Sequence, residues 1–389
     1  MKKPKFGLLS RIALAIVLGV ALGYVSPAPV VRGVNTLVAL IDQFIKFMVP
    51  LIIVGLVTPA IAETGRGAGK LLLATVAIAY GSTLFAGFLG YFVSSAAFPS
   101  LVSSGAGQAA GEAAREFPSY VKISVPPLMD VMSALVFSFL AGLGMVFTKA
   151  ETLKEAFSDF RAVVVRAISS ALVPLLPVFI FGIFLDMTAT GKAGRILVEF
   201  AAIIAVFSAL TLVVIFVQYC VAGAVARKNP FKAMWKMVPA YMTALGTSSS
   251  AATIPVTRAQ AVEAGVRPEI ADFTVPLCAT VHLAGSTVKL VSCAVALMLV
   301  AGRGAEICLP TFAGFIAMIG VVMIAAPGVP GGAVMSSLGL LEAILGFNQA
   351  EIALMIALYM ATDSIGTACN VAGDGAIAMV IDRLFGRKQ

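Results

Sequence analysis

Six apolar runs, near residues 8–26, 37–62, 70–97, 129–148, 161–186 and 193–224, constrain this chain more than any other feature. At 1.5 Å per helical residue, each is long enough for about 30 Å of hydrocarbon. Lipid offers no partner to backbone amides and carbonyls, so runs of this length dictate helices. With 60% hydrophobic and 12% charged residues in 389, the composition excludes an ordinary soluble domain and defines an all-α polytopic membrane protein.

Basic residues mark alternate loops. Lys2, Lys3, Lys5 and Arg11 precede the first run, and Arg66 and Lys70 separate the second from the third. Lys149, Lys154 and Arg161 lie between the fourth and fifth, and Arg227, Lys228, Lys232 and Lys236 follow the sixth. This bias places the N-terminus in the cytoplasm, at a plasma or inner membrane. It also accounts for the net charge of +8 without nucleic acid, for which no basic and aromatic patch is present. Five cysteines (Cys220, Cys278, Cys293, Cys308, Cys369) form no disulfide framework or paired metal motif. The basic N-terminus and first run imitate a secretory leader. No small-residue cleavage site follows Tyr24, so a retained first span is expected.

After Lys236 the runs become broken. Met237 to Val256 contains Gly246, Thr247, Ser248, Ser249, Ser250 and Pro255; Met318 to Leu340 contains Pro327, Gly328, Val329, Pro330, Gly331 and Gly332. Each reads as a helical hairpin that enters the membrane and turns back, its tip backbone lining a cavity. Each is followed by an apolar helix with polar residues inside it, Ala271 to Val300 and Glu351 to Leu384, as in a diverged repeat. In secondary transporters such a repeat marks the substrate site, where helix N-termini face anions and freed carbonyls face cations. Eight spans and two hairpins return the C-terminus to the cytoplasm.

Within Tyr359 to Asp382, Asp363, Thr367, Asn370 and Asp374 are spaced four, three and four apart, on one helical face. A carboxylate in the bilayer costs ~2.5 to 3.5 kcal/mol, so two on one stripe must meet a partner or a wet cavity. The stripe is either an oxygen-rich site for an ammonium or hard cation, or a polar seam between helices. His282, the single histidine, is either a hydrogen-bonded structural residue or a titrating one. Lys289, seven residues on and on the same face, predicts a carboxylate partner in Asp363 or Asp374. No Ser/His/Asp set, zinc-type histidine cluster or phosphate loop is visible, so an enzyme is not expected, nor a cofactor beyond bound Na⁺. A gated channel is the rival class.

Four stretches carry a resemblance, in order: Phe44 to Glu63, Ser248 to Pro255 (SSSAATIP), Gly328 to Gly331 (GVPG) and Asn370 to Asp374 (NVAGD). Over nearly its whole length the chain resembles the dicarboxylate/amino acid:cation symporters, the glutamate transporter family. The resemblance implies a homotrimeric elevator transporter. Its scaffold would be residues 1–68 and 128–190 (helices 1, 2, 4 and 5), and its mobile part 69–98 and 191–389, with 99–127 an external loop. It implies that Asp363 takes the substrate amino group, that Asn370 takes the carboxylate, and that Asp374 helps hold sodium. The tips would contribute around Ser249, Ser250, Val329 and Gly331. Residue reading and resemblance together select Ser249, Ser250, Ser286, Val329, Gly331, Asp363, Thr367 and Asn370 for substrate. They select Cys278, His282, Lys289, Asn370 and Asp374 for cation coupling, with Asp374 and Asn370 as sodium ligands.

Two departures matter. Where the family usually has Asn-Met-Asp-Gly-Thr, this chain has His282, Leu283, Ala284, Gly285 and Ser286, so one sodium site is expected to be absent or rebuilt. Gly366 replaces the arginine that grips a side-chain carboxylate. A neutral amino acid is therefore the expected cargo, with an acidic cargo on Lys289 as the alternative. Coupling by protons through His282, Asp363 or Asp374, with weakened sodium dependence, is expected from a Lys289 ammonium beside Asp374.

Overall fold

The computed structural model describes residues 8–65, 70–101, 117–121, 124–191, 193–326 and 330–385. Lys2, Lys3, Lys5, Arg66 and Val329, and most of the 99–127 loop, lie outside them. The described residues are helical, without strands, and run α1 (Leu8–Gly23), α2 (Ala28–Gly65), α3 (Lys70–Leu101), α4 (Val131–Thr148), α5 (Glu151–Ala167) and, after one π turn, α6 (Val173–Ala189). Then come α7 (Ala193–Ala226), α8 (Pro230–Lys236), α9 (Val238–Thr247), α10 (Ser250–Glu263), α11 (Pro268–Val281), α12 (Ala284–Val300), α13 (Leu309–Ala325), α14 (Gly332–Leu345), α15 (Gln349–Ala361) and α16 (Asp363–Phe385).

Among the described residues, six helical stretches are long and apolar enough to cross a membrane: 28–62, 70–101, 151–189, 200–226, 268–300 and 363–385. The first and fourth apolar runs form the shorter helices α1 and α4. The fifth begins ten residues earlier than its apolar run, so Lys154 and Arg161 lie on α5 rather than in a loop. There Glu151, Lys154, Glu155, Asp159 and Arg161 give the helix a polar first half.

Where the two hairpins were expected, the described residues form the packed helix pairs α9–α10 and α13–α14, each followed by a broken helix. The first extends past Val256 to Glu263, with Pro255 inside α10 rather than ending it. The stretch around the stripe is not one helix. It breaks at Thr362, whose hydroxyl donates to the Leu358 and Tyr359 carbonyls at 2.8 and 3.3 Å, so Tyr359 belongs to α15 and the stripe to α16. The earlier helix breaks at His282–Leu283, in extended and irregular backbone.

α1 lies on α6, and α2 lies on α4, α5 and α6; α12 lies on α3, α7, α15 and α16, with α9, α10 and α11 around α16, while α13 and α14 also pack on α2, and α15 on α1 and α6. Every residue of α12 is buried. The ends of the broken helices are braced: Arg267, before α11, donates to Asp382 Oδ1 at 2.8 Å, and Arg303, after α12, donates to the buried Glu351 at 3.0 Å.

Close approach of α12 to α16 depends on Gly285, where a Cβ would fall 2.4 Å from the Gly366 carbonyl oxygen and 2.5 Å from Cys369 Cβ. Backbone cannot yield as a flexible side chain can. Gly285→Ala is therefore expected to destabilise by ~1–3 kcal/mol, the range for overpacking. Gly314→Ala, with nothing within 4 Å, should be neutral or gain up to ~1 kcal/mol from helix propensity. Thermal unfolding of the two purified variants checks this pair.

Candidate functional site

The break at His282–Leu283 frees the first amides of α12, and the stripe of α16 collects them. Asn370 Oδ1 accepts from the Gly285 and Ser286 amides at 2.8 and 3.2 Å, while Asn370 Nδ2 donates to Ser286 Oγ at 3.0 Å. Helix-end donors left without intrahelical partners are thus satisfied by one side chain. Thr367, one turn before, donates to the Asp363 carbonyl within α16 at 2.9 Å.

Asp363 opens α16. Its Oδ2 accepts from the Gly331 amide at the start of α14 at 2.8 Å, and its Oδ1 lies 3.6 Å from Lys289 Nζ. Lys289 is 0% exposed. Its ammonium sits 3.4 Å from the centre of the Tyr359 ring and donates to the Tyr359 carbonyl at 3.2 Å. A Cβ on Gly366 would stand 3.3 Å from Lys289 Nζ, so the lysine fills the space beside the glycine. The Tyr359 hydroxyl is buried beside Ser286 and Asp363.

Asp374, about three turns on, meets the imidazole. His282 Nδ1 lies 2.9 Å from Asp374 Oδ1, and His282 Nε2 lies 3.1 Å from Ser82 Oγ, which accepts from Gln218 Nε2 at 2.8 Å. A chain of donors running Gln218 to Ser82 to His282 to Asp374 satisfies every step with a neutral imidazole protonated at Nδ1 and an ionised carboxylate, a tautomer assigned from the network. Gly373 makes the room: a Cβ there would fall 2.6 Å from His282 Cε1 and 2.5 Å from Gln218 Oε1. Ser82 and Gln218 also line an apolar cavity of about 300 Å³ between α3, α7 and α16.

Lys289 was expected to meet Asp363 or Asp374, and proton coupling was expected from its ammonium beside Asp374; that last placement is corrected, because Lys289 pairs with Asp363 and the partner of Asp374 is His282. Of the two residues expected to hold sodium, Asp374 directs Oδ1 at His282 Nδ1, and Asn370 Oδ1 accepts from two amides. Ser249 lies at the first hairpin tip, where its side chain caps α10 on the Ala252 amide at 3.3 Å; Ser250 is buried beside it. Cys278 packs its thiol with Ala79, Val281, Ile377 and Ile381, and its carbonyl accepts from the His282 amide. Gly331 reaches the stripe, and Val329 is outside the described residues. Ser82, Gln218 and Tyr359 were missed by sequence reasoning. Gln218, a lone amide within the apolar α7, was the available signal, since a polar side chain there demands a partner.

Buried charges and freed helix ends converging inside an apolar bundle define a membrane transporter rather than an enzyme. Residues 8–384 match the family model described as the sodium:dicarboxylate symporter family, and the chain belongs to that family. It is similar to the serine/threonine transporter SstT of Streptococcus thermophilus (strain ATCC BAA-250 / LMG 18311), 28% identical over 299 residues, 73% of this chain and 72% of the relative. It is also similar to the serine/threonine transporter SstT of Acinetobacter baumannii (strain ATCC 17978), 25% identical over 395 residues and covering 97% of each chain.

Truncating one partner of the buried His282–Asp374 pair leaves the other stranded. His282→Ala is expected to cost ~3–5 kcal/mol. In a double-mutant cycle with Asp374→Ala, the pair should cost less than the sum by ~0.5–3 kcal/mol. Chemical or thermal unfolding of the four proteins gives the cycle.

Proposed function

We propose that this protein is a secondary active symporter for a small neutral amino acid. The observation that carries the reading is the α16 stripe: a carboxylate, Asp363, for an ammonium and the Asn370 amide for a carboxylate, set between the two hairpins. Asn370 Nδ2 spends one of its two protons on Ser286 Oγ, which leaves one for the cargo carboxylate, together with donors at the Ser249–Ser250 tip. Gly366 supports a neutral side chain, and so do the two relatives, which are serine/threonine transporters. The second reading, an acidic cargo, rests on Lys289 beside Gly366.

The proposed motion is an elevator. Residues 69–98 and 191–389 move against a scaffold of 1–68 and 128–190, in a homotrimer of the plasma or inner membrane with both termini cytoplasmic. The dense packing of α1 on α6 and of α2 on α4 supports the scaffold, and that of α12 on α3 and of α16 on α7 and α9 supports the mobile part. In coupling, an imidazole on Asp374 takes the place where the family's carboxylate meets sodium, and Ser82 and Gln218 join it to a cavity. Protons then carry the coupling in part or whole through His282 and Asp374, and sodium dependence is weak.

Two measurements in proteoliposomes test this. Unlabelled L-serine, L-threonine or L-alanine should compete for uptake far better than aspartate or malate, and the reverse order favours the acidic reading. Accumulation should follow an imposed pH gradient in the natural protein and lose that dependence in His282→Asn. A requirement for a sodium gradient, with indifference to pH, contradicts the proton assignment.

A further inference from the structure

Asp363 faces a problem that the transport reading alone does not solve. The carboxylate on which a cargo ammonium would sit lies in an apolar bundle with the α14 N-terminus against it. The Gly331 amide already donates to Oδ2 at 2.8 Å, and Asp363 is 7% exposed. A bare carboxylate in that setting resists burial, and a carrier that must cross the membrane empty would stall open or need a second cation.

Lys289 answers this by its placement. Its Nζ is 3.6 Å from Asp363 Oδ1, close enough to neutralise the charge and too far for a hydrogen bond to that oxygen. Its donation goes to the Tyr359 carbonyl, and its charge rests on the Tyr359 ring. The ammonium is thus anchored by α15 whether or not Asp363 is occupied, and Oδ1 keeps acceptor capacity for an incoming ammonium. The other ionic group of the stripe, Asp374, has its own partner in His282.

We propose that Lys289 is a fixed internal counter-ion of Asp363, held in place by Tyr359, which keeps the cargo site electrically neutral when empty and when filled by a zwitterion. The proposal rests on the reading of the protein as a symporter of small neutral amino acids and deepens it in two ways. The empty carrier closes α14 onto Asp363 and returns without a counter-transported ion. Cargo with a net charge breaks the balance that a zwitterion preserves, so Lys289 sets the charge class of the substrate rather than gripping a side chain.

The test uses the full chain in two formats. Hydrogen exchange of the Gly331–Ser336 amides, read without any cargo, is expected to be about tenfold or more faster in Lys289→Gln. It should return to near the natural value in Lys289→Arg and in the double variant Lys289→Gln/Asp363→Asn, where no bare charge remains. In proteoliposomes, net L-serine uptake by Lys289→Gln should fall about tenfold further than L-serine exchange, because only net uptake needs the empty return. A purely structural lysine would depress both equally. Unchanged exchange of the amides in Lys289→Gln, a double variant as exposed as the single, or uptake and exchange falling in parallel overturns the proposal. Should Lys289→Gln alone not purify, recovery of folded protein in the double variant supports the counter-ion role, and failure of the double variant to fold overturns it. The amide measurement involves no cargo, so it decides the counter-ion role even if the natural protein moves no amino acid, a result that would count against the transport reading alone.

Discussion

A carboxylate taken from water into an apolar interior must find positive charge or donors there, or it neutralises or drives the structure apart. α16 carries two such groups, Asp363 and Asp374, about three turns apart on one face, and both are answered by the same neighbouring polypeptide stretch. His282 at the break before α12 meets the lower carboxylate, and Lys289 within α12 meets the upper one. The rest of the centre follows from that pairing. α12 must be entirely buried to deliver Lys289, it must approach α16 across Gly285, and the chain must break at His282–Leu283 so that amides reach Asn370. Gly373 leaves space for the imidazole, and Tyr359, placed by the break at Thr362, holds the ammonium.

The departures from the family pattern read as substitutions in kind once the geometry is known. Where a motif carboxylate gives way to Ala284 and its asparagine to His282, the imidazole reaches Asp374 itself. Where an arginine gives way to Gly366, Lys289 comes from a different helix and fills the adjacent space. The proposed function draws on both: the groups that would be balanced by transported ions are balanced by the chain's own side chains.

Much of this was legible in the sequence because membrane chemistry leaves few options. Apolar runs of bilayer length dictate helices, Gly and Pro clusters within two of them mark hairpins, and a four-three-four spacing puts the stripe on one face. The stripe residues are all buried as expected. Which cation met which carboxylate was not legible, because periodicity places Lys289 and His282 on one face without fixing how α12 lies against α16. That register depends on close backbone contacts at Gly285 and Gly366, which only three-dimensional packing reveals. The breaks at Leu283 and Thr362 were also hidden: no proline stands beside either, and what marks them is the bonding of freed amides to Asn370 and of the Thr362 hydroxyl to the preceding turn. Ser82 and Gln218 come from α3 and α7, far away in sequence, so no local pattern could join them to His282.

The central claim is that side chains of this protein stand in for cations at its buried carboxylates. Calorimetric titration of L-serine into the purified protein tests it most directly, in sodium-free choline buffer and in sodium buffer of equal ionic strength and pH. An ion whose binding is positively coupled to that of the cargo raises cargo affinity by linkage. The account predicts affinities within about threefold of each other in the two buffers, and a tightening of about tenfold or more in sodium would contradict it.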